Sequence, residues 1–331
     1  MAGAENLGFV RYRICGLTVG SDSPLPELPL ADKNQNGQAD VRFRVREASE
    51  RAAPEPRNWV TSDALDNGQP WLSCARTDAG YLVRVHDLAD FFIDTAGREV
   101  SCVPHSDISA RTLRHLFIDQ VIPLVLNLRG QDALHATSAL LAPGLCAFVG
   151  PSGVGKSTLA AAFQLAGFPV LSDDCLAVKE ENGQMFAIPA YPGVRLWEDS
   201  VAALGRGDSG AIPVADYTPK RRVIAPDSSD EIFWRNWPLV RIYALVRQVA
   251  GDSGEAVESP LIEPMPRGTA FLELVASLFR LDSTDRVMLE RQFRFVEKII
   301  SQVPVRRLKL PDDLALLPAV RDAIAADLKA G

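Results

Sequence analysis

The sequence predicts an α/β protein in two parts, a β-rich N-terminal domain over residues 1–105 and an α/β domain over 131–331, joined by a helical connector at 106–130. Three observations predict it. Short runs that alternate apolar and polar residues fill the first hundred positions. From Ser109 the apolar residues recur at three- and four-residue steps. Beyond Leu134, strand-like and helix-like runs alternate around a glycine-rich turn.

In the first part, Phe9–Ile14 and Val41–Val45 alternate as half-buried strands do. Ser23–Pro29 is an extended connector fixed by its prolines. Tyr81–Val85, Phe91–Ile93 and Glu99–Val103 lie around turn signals at Asp78–Gly80 and Asp94–Gly97, which predicts a meander of short antiparallel strands. His86 and His105 read as surface or structural residues.

The connector carries Leu113, Leu116, Phe117, Val121, Leu124, Val125 and Leu128 at helical spacing, and Pro123 is expected to kink this helix or split it. Leu134–Leu141 then reads as one strand, and Pro143-Gly144 as a turn into the apolar strand Leu145–Val149. A helix over Thr158–Leu165 ends at Gly167, and Phe168–Leu171 runs as a buried strand into Ser172-Asp-Asp174. Leu176–Val178 and Met185–Ile188 flank a hairpin turn at Glu181–Gly183. Leu239–Val246 is a core strand and Gly251–Gly254 a turn. Helices follow at 269–279 and 285–301, then a strand at Val305–Leu310 and a last helix.

Gly150-Pro151-Ser152-Gly153-Val154-Gly155-Lys156-Ser157-Thr158 is a complete G-x-x-x-x-G-K-S phosphate-binding loop between a strand and a helix. Its glycines let successive backbone N–H groups point at phosphate oxygens. Lys156 reaches the β- and γ-phosphates, the Ser157 hydroxyl is placed for Mg²⁺, and the helix start favours an anion. The expectation is nucleoside triphosphate binding.

Asp173 and Asp174 end an apolar strand seventeen residues after Lys156. One such carboxylate can hold Mg²⁺ and a second can take a proton from an attacking hydroxyl; the alternative is an acidic cap or solvated turn. His135, fifteen residues before Gly150, reads either as a hydrogen-bonded strand residue or as a member of the site. Arg195 and Lys220-Arg221-Arg222 are candidate clamps for a transferred phosphate, or a solvated basic turn. Pro266–Thr269 is a candidate substrate-side loop.

Composition excludes several classes. Hydrophobic residues at 47% and charged residues at 23% suit a globular chain, and a net charge of −7 argues against nucleic acid or an anionic membrane as main partner. The five cysteines are scattered and never in C-x-x-C spacing, which suits reduced thiols in a cytoplasm. Neither a signal peptide nor a run of about 18 apolar residues is evident, so the expected location is cytoplasmic. Neither an Asn-Lys-x-Asp guanine-reading motif nor a Leu-Ser-Gly-Gly-Gln transporter signature is found.

Leu134-His135, the loop Gly150–Ser157 and Val170-Leu-Ser-Asp-Asp174, with their intervals, together resemble the catalytic domain of HPr serine kinase/phosphorylase. The resemblance covers roughly residues 131 to 280. It implies a P-loop kinase domain of the HPr kinase/PEP carboxykinase-like type, using ATP and Mg²⁺. It also implies Asp173 as general base, Asp174 and Ser157 as metal ligands, and His135 as an active-site residue near Asp173. The family's Glu-Arg-Gly-Leu-Gly signature is replaced by Pro189–Trp197, which removes an acidic metal contact. The chain is closer to the divergent HPr-kinase-like proteins, some of which resemble lasso-peptide kinases.

The reading that follows is a serine kinase transferring the γ-phosphate of ATP to a Ser/Thr hydroxyl of a protein or precursor peptide, with homo-oligomers allowed. The alternatives are a kinase of a small metabolite, with Arg195 and Lys220–Arg222 lining its pocket, and a nucleotide-dependent switch ATPase without phosphotransfer.

Overall fold

The computed structural model describes residues 9–31, 38–47, 56, 58–64, 68–105, 107–203, 211–224, 230–247 and 259–330. The expected turn at Gly251–Gly254 lies outside them. The chain divides into two units. One comprises residues 1–131, 215–217 and 279–290, and the other 132–214, 218–278 and 291–331. The helical segment after residue 106 therefore belongs to the first unit.

In the first unit, β1 (Val10–Ile14), β2 (Leu17–Ser21), β3 (Val41–Val45), β4 (Thr61–Ala64), β5 (Pro70–Thr77), β6 (Gly80–Val85), β7 (Ala89–Asp94) and β8 (Glu99–Pro104) form one sheet. Its order is β1-β2-β3-β8-β7-β6-β5-β4. The run β4 to β8 is an antiparallel meander, whereas β3 pairs in parallel with both β2 and β8. Phe43 of β3 stacks on Phe117 with ring centroids 3.8 Å apart, which seats the helical segment on the sheet. That segment is α1 (Ala110–Leu116), a wider π turn over Phe117–Val121, and α2 (Ile122–Leu128). The break falls before Pro123, not at it. The Ile122 amide bonds back to the Phe117 carbonyl, and Pro123 stands in the first turn of α2, where no N–H is required.

The second unit begins with β9 (Ala133–Leu134), β10 (Thr137–Leu141), β11 (Gly144–Val149), α3 (Lys156–Leu165) and β12 (Val170–Ser172). Next come β13 (Leu176–Glu181), β14 (Gln184–Ile188), β15 (Val194–Leu196), α4 (Glu198–Ala203), β16 (Ile212–Ala215), β17 (Thr218–Val223) and β18 (Trp237–Arg247). It ends with β19 (Leu261–Pro264), α5 (Arg267–Ala276), α6 (Arg286–Gln302, from Arg291 onward in this unit), β20 (Val305–Leu310) and α7 (Leu317–Ala330).

The expected single strand Leu134–Leu141 is two strands. β9 pairs with β13 and β10 pairs with β11 and β12, so the chain changes partners at His135-Ala136. The hairpin between β13 and β14 turns at Asn182-Gly183, both at positive φ, as a tight two-residue connection requires.

The long strand β18 organises this unit. It pairs in parallel with β11 and with β20, and its first residues pair antiparallel with β14. Alternation decides its faces. Ala147, Val149, Ile242 and Ala244 pack with Leu274 of α5 and Val296 and Ile299 of α6. Phe148, Tyr243 and Leu245 pack with Leu159 and Phe163 of α3 and with Val320 and Ile324 of α7. Phe148 lies 5.7 Å from Phe163 and 5.9 Å from Tyr243, both stacked. Burying aromatic side chains of this size stabilises by about 1.5–3 kcal/mol each, which fixes α3 and the loop before it on the sheet. No helix among the described residues is long and apolar enough to cross a membrane.

Candidate active site

The loop follows β11, and α3 starts at Lys156, two residues before the sequence places it. Gly150, Gly153 and Gly155 have φ of 139°, 79° and 110°, backbone that side chains rarely adopt. At Gly150 a Cβ would also stand 3.0 Å from the Leu245 carbonyl oxygen. Pro151, Ser152 and Gly153 are exposed, while Val154 is buried under the loop and anchors it. Lys156 is buried, and its Nζ donates to the carbonyls of Gly150 at 2.7 Å and Pro151 at 3.0 Å. Burial pushes its ammonium pKa down, with Lys220 adding to the effect and Asp174 and Asp173 opposing it. Thr158 sits half-buried in the first turn of α3.

Asp173, just past β12, is 2% exposed. Its Oδ1 accepts from Ser157 Oγ and from Thr137 Oγ1, each at 2.9 Å. Its Oδ2 accepts from the Arg195 backbone N–H at 2.7 Å and lies 3.4 Å from Arg195 Nε. The Arg195 Nη2 also donates to the Asp173 carbonyl. Asp174 adopts a left-handed backbone, φ 70°, which aspartate tolerates, and so turns away from its neighbour. Its side chain is a quarter exposed, with Oδ1 3.4 Å from His135 Nε2 and Oδ2 3.4 Å from Arg195 Nη2.

The two carboxyls are pushed apart. Burial, and then the charge of Asp174, raise Asp173 above the ordinary carboxyl range against the pull of Arg195. Burial opposes ionisation of Asp174 as well, but Arg195, His135 and Lys220 outweigh it and hold that group well below the usual range.

The family resemblance implies Asp174 and Ser157 as metal ligands and His135 near Asp173. In the structure Ser157 Oγ donates to Asp173 Oδ1 at 2.9 Å, and His135 Nε2 lies 3.4 Å from Asp174 Oδ1.

The four clamp candidates also separate. Arg195 and Arg222, neighbours across β15 and β17, are buried against the Tyr191 ring, at 5.6 and 5.1 Å from its centre. Arg222 Nε donates to the Pro192 carbonyl at 3.1 Å and Arg221 pairs with Glu198 at 3.0 Å, so both are engaged in holding the chain. Lys220 is half-buried, with Nζ 5.3 Å from the centre of the Trp197 ring, and its charge is felt at both Lys156 and Asp174. Among the four, Lys220 directs its charge at the loop and Arg195 ties the aspartates together.

A cleft of about 870 Å³ opens beside the loop, lined by His135, Gly150–Val154, the end of β18 at Leu245–Arg247, Glu273 and Ala276 of α5, and Ser277 just past it. Its size lies within the range of small-ligand sites. The His135 amide donates to the Ser277 carbonyl at 2.6 Å, which fixes α5 as a wall of the cleft. Thr137, Glu273 and the β18 end escaped the sequence reading. Thr137 had one usable signal, its place two residues after His135; the others reach the cleft only through the fold.

The oxygen donors Ser157 Oγ and Asp173 Oδ1 suit a hard divalent cation. Among the described residues no group of three or more His, Cys, Asp or Glu side chains is placed to hold a metal. Magnesium takes one or two protein carboxylates with phosphate and water oxygens, so this donor set fits it. The five cysteines are all buried, and burial pushes the Cys146 thiol up to about 12.

No family model and no curated protein matches the chain. Among solved structures, it is similar to the Hpr(Ser) kinase/phosphatase from Coxiella burnetii at 14% identity and a TM-score of 0.29, over 59% of this chain and 97% of that one. At that level the likeness decides neither fold nor chemistry; what the site can do follows from its own residues. It can hold a polyphosphate on the loop amides and Lys156, a cation at Ser157 and Asp173, and an ionised carboxylate at Asp174 beside His135.

Proposed function

We propose that the unit beginning at Asp132 is an ATP- and Mg²⁺-dependent kinase of the HPr-kinase type that phosphorylates a Ser/Thr hydroxyl of a protein or peptide. The observation that carries this reading is the division between adjacent aspartates. Asp173 is buried against the loop serine at 2.9 Å, and Asp174 is partly exposed and turned to His135 at 3.4 Å. A nucleotide switch needs only the first of these carboxylates. A transferase needs a second that faces its acceptor.

In this reading the loop amides and Lys156 hold the β- and γ-phosphates, and Ser157 and Asp173 hold Mg²⁺. When bound, the cation offsets the charge that develops on the phosphoryl oxygens. Asp174 accepts the hydrogen bond of the acceptor hydroxyl and takes its proton as that oxygen bonds to the γ-phosphorus, while the bond from that phosphorus to the β–γ bridging oxygen breaks and ADP leaves. Lys220, steadied on Trp197, adds positive charge on the phosphate side. Arg195, buried against both aspartates, positions them.

Incubating the full chain with γ-labelled ATP, Mg²⁺ and serine- or threonine-bearing peptides or cell extract tests the reading by mass spectrometry. An acid-stable phosphoester on a polypeptide is expected, with slow hydrolysis when no acceptor is present. Label confined to small molecules would assign a metabolite kinase. Fast release of free phosphate with no labelled acceptor would assign a switch ATPase.

A further inference from the structure

Three titratable side chains, His135, Arg247 and Glu273, line the cleft beside the loop. Two of them have partners. His135 lies 3.4 Å from Asp174, and Arg247 pairs with Asp312 at 3.2 Å. The Glu273 side chain makes no hydrogen bond or ion pair to any of the described residues.

Its place on the helix makes that isolation unfavourable. Glu273 is the single acidic residue of α5 and opens its last turn, where terminal carbonyls give a helix its negative end. No basic residue stands in that turn to offset it. A half-buried carboxylate there adds nothing to the stability of the helix. A cation arriving in the cleft offsets the carboxylate and the dipole together.

The cleft lies on the acceptor side of the site. It takes in the start of the loop, Gly150–Val154, and His135, which meets the carboxylate assigned above to the acceptor proton. No residue of α3, the helix that carries Ser157 and Thr158, lines it. Ser277 joins the two ends of this wall. Its carbonyl accepts from the His135 amide at 2.6 Å, and its hydroxyl donates to the Glu273 carbonyl at 3.0 Å. Four residues of helix separate Ser277 from Glu273, a rise of about 6 Å. An extended peptide covers that distance in about two residues.

We infer that Glu273 selects the acceptor by binding an Arg or Lys side chain that stands about two residues from the phosphorylated hydroxyl. This rests on the kinase reading above for the hydroxyl. Leu245, Val246 and Ala276 line the same cleft and cover the apolar stem of such a side chain, while Glu273 takes its charged head. An acidic segment would instead meet like charge from Glu273 and Asp174. A basic acceptor also suits the field of a chain whose net charge is −7.

The test uses the full chain with Mg²⁺ and a non-hydrolysable ATP analogue, and fluorescein-labelled 11-residue peptides with one central serine. The two positions on each side of the serine are Arg in one peptide, citrulline in a second and Glu in a third. Citrulline keeps the shape of arginine without its charge. Fluorescence anisotropy is expected to show the Arg peptide binding about tenfold or more tightly than its citrulline twin, the effect of one charge-assisted contact. Glu273→Gln is expected to bring those two peptides to parity, and Glu273→Lys to make the Glu peptide the tightest of the three. Circular dichroism reports that both variants are folded.

Equal binding of the Arg and citrulline peptides to the wild type, or no binding of either, overturns the inference. A preference for Arg that survives Glu273→Gln overturns it in favour of Asp174 and the net charge. A fall in calorimetric affinity for the ATP analogue that matches the loss of peptide binding overturns it in favour of a nucleotide contact. If the preference depends on Glu273 and no polypeptide is phosphorylated by ATP, the recognition stands and the kinase reading falls. If serine peptides are phosphorylated without regard to flanking charge, the kinase reading stands and this inference falls.

Discussion

Ser157 Oγ donates to Asp173 Oδ1 at 2.9 Å, and this bond ties the first turn of the loop helix to the end of the neighbouring strand. It makes the loop and the buried carboxylate one unit, because Asp173 is held on its other sides by Thr137 and Arg195. Asp174, one residue on, belongs to none of these bonds.

The two aspartates should therefore fail differently. Asp173→Asn removes the charge beside Ser157 and is expected to weaken Mg²⁺-dependent nucleotide binding, seen by calorimetry with and without the cation. Asp174→Asn should leave Mg²⁺·ATP binding within about twofold and lower phosphotransfer by 10²-fold or more, the usual range for a lost general base. The opposite pattern would restore the roles that the family resemblance implies.

Lys156→Ala removes an ammonium held at the mouth of the loop by two carbonyls. A charge-assisted contact of this kind is worth about 1.5–3 kcal/mol, so the dissociation constant for an ATP analogue should rise about ten- to hundredfold. Unchanged affinity would place the nucleotide elsewhere.

Much of the site was legible in the sequence because it is local. The loop, its entry strand and its helix are contiguous, and the hairpin after Asp174 announces its turn with Asn182-Gly183. What the sequence leaves open is decided by backbone geometry and tertiary packing. No spacing rule reveals that Asp174 adopts φ 70°, or which partner each carboxylate takes. Arg195, Arg221 and Arg222 look alike as letters. Strand alternation and the Tyr191 ring bury two of them and leave the third to Glu198 on the surface. Leu134–Leu141 reads as one strand because no glycine or proline interrupts it, and the break at His135 follows from the different neighbours of β9 and β10.

Arg195 should be irreplaceable by lysine. Its guanidinium lies 3% exposed and reaches the Asp173 carboxylate and carbonyl and the Asp174 carboxylate together, a fork that one ammonium does not reproduce. Arg195→Met leaves two acidic groups close together in the interior without their cation. Breaking a buried pair in this way costs about 3–5 kcal/mol. Urea denaturation is expected to show that loss for Arg195→Met and a smaller one for Arg195→Lys. Both variants should lose phosphotransfer by more than they lose ATP affinity. Full stability in Arg195→Met would mean that the aspartates are held by the strands alone.

The first unit carries its own pH signature at Asp90. This buried carboxylate on β7 accepts from Arg84 Nε at 2.8 Å and Nη2 at 3.0 Å, and lies 2.9 Å from His105 Nε2. Burial works against its ionised form, but the bonds from Arg84 and His105 prevail and hold its pKa below the ordinary value. In the unfolded chain the group titrates near pH 3.9, so its contribution to stability is fully present above that value. The contribution disappears as pH falls through the lower folded value. Acid unfolding of the wild type should therefore steepen below about pH 4. Asp90→Asn should be less stable at pH 7 by about 1–3 kcal/mol, the cost of leaving buried polar partners poorly matched, and its difference from wild type should shrink as the pH is lowered. Urea midpoints at pH 7, 5 and 3.5 measure both trends. A difference that stays constant across them would assign the loss to packing, not to the charge of Asp90.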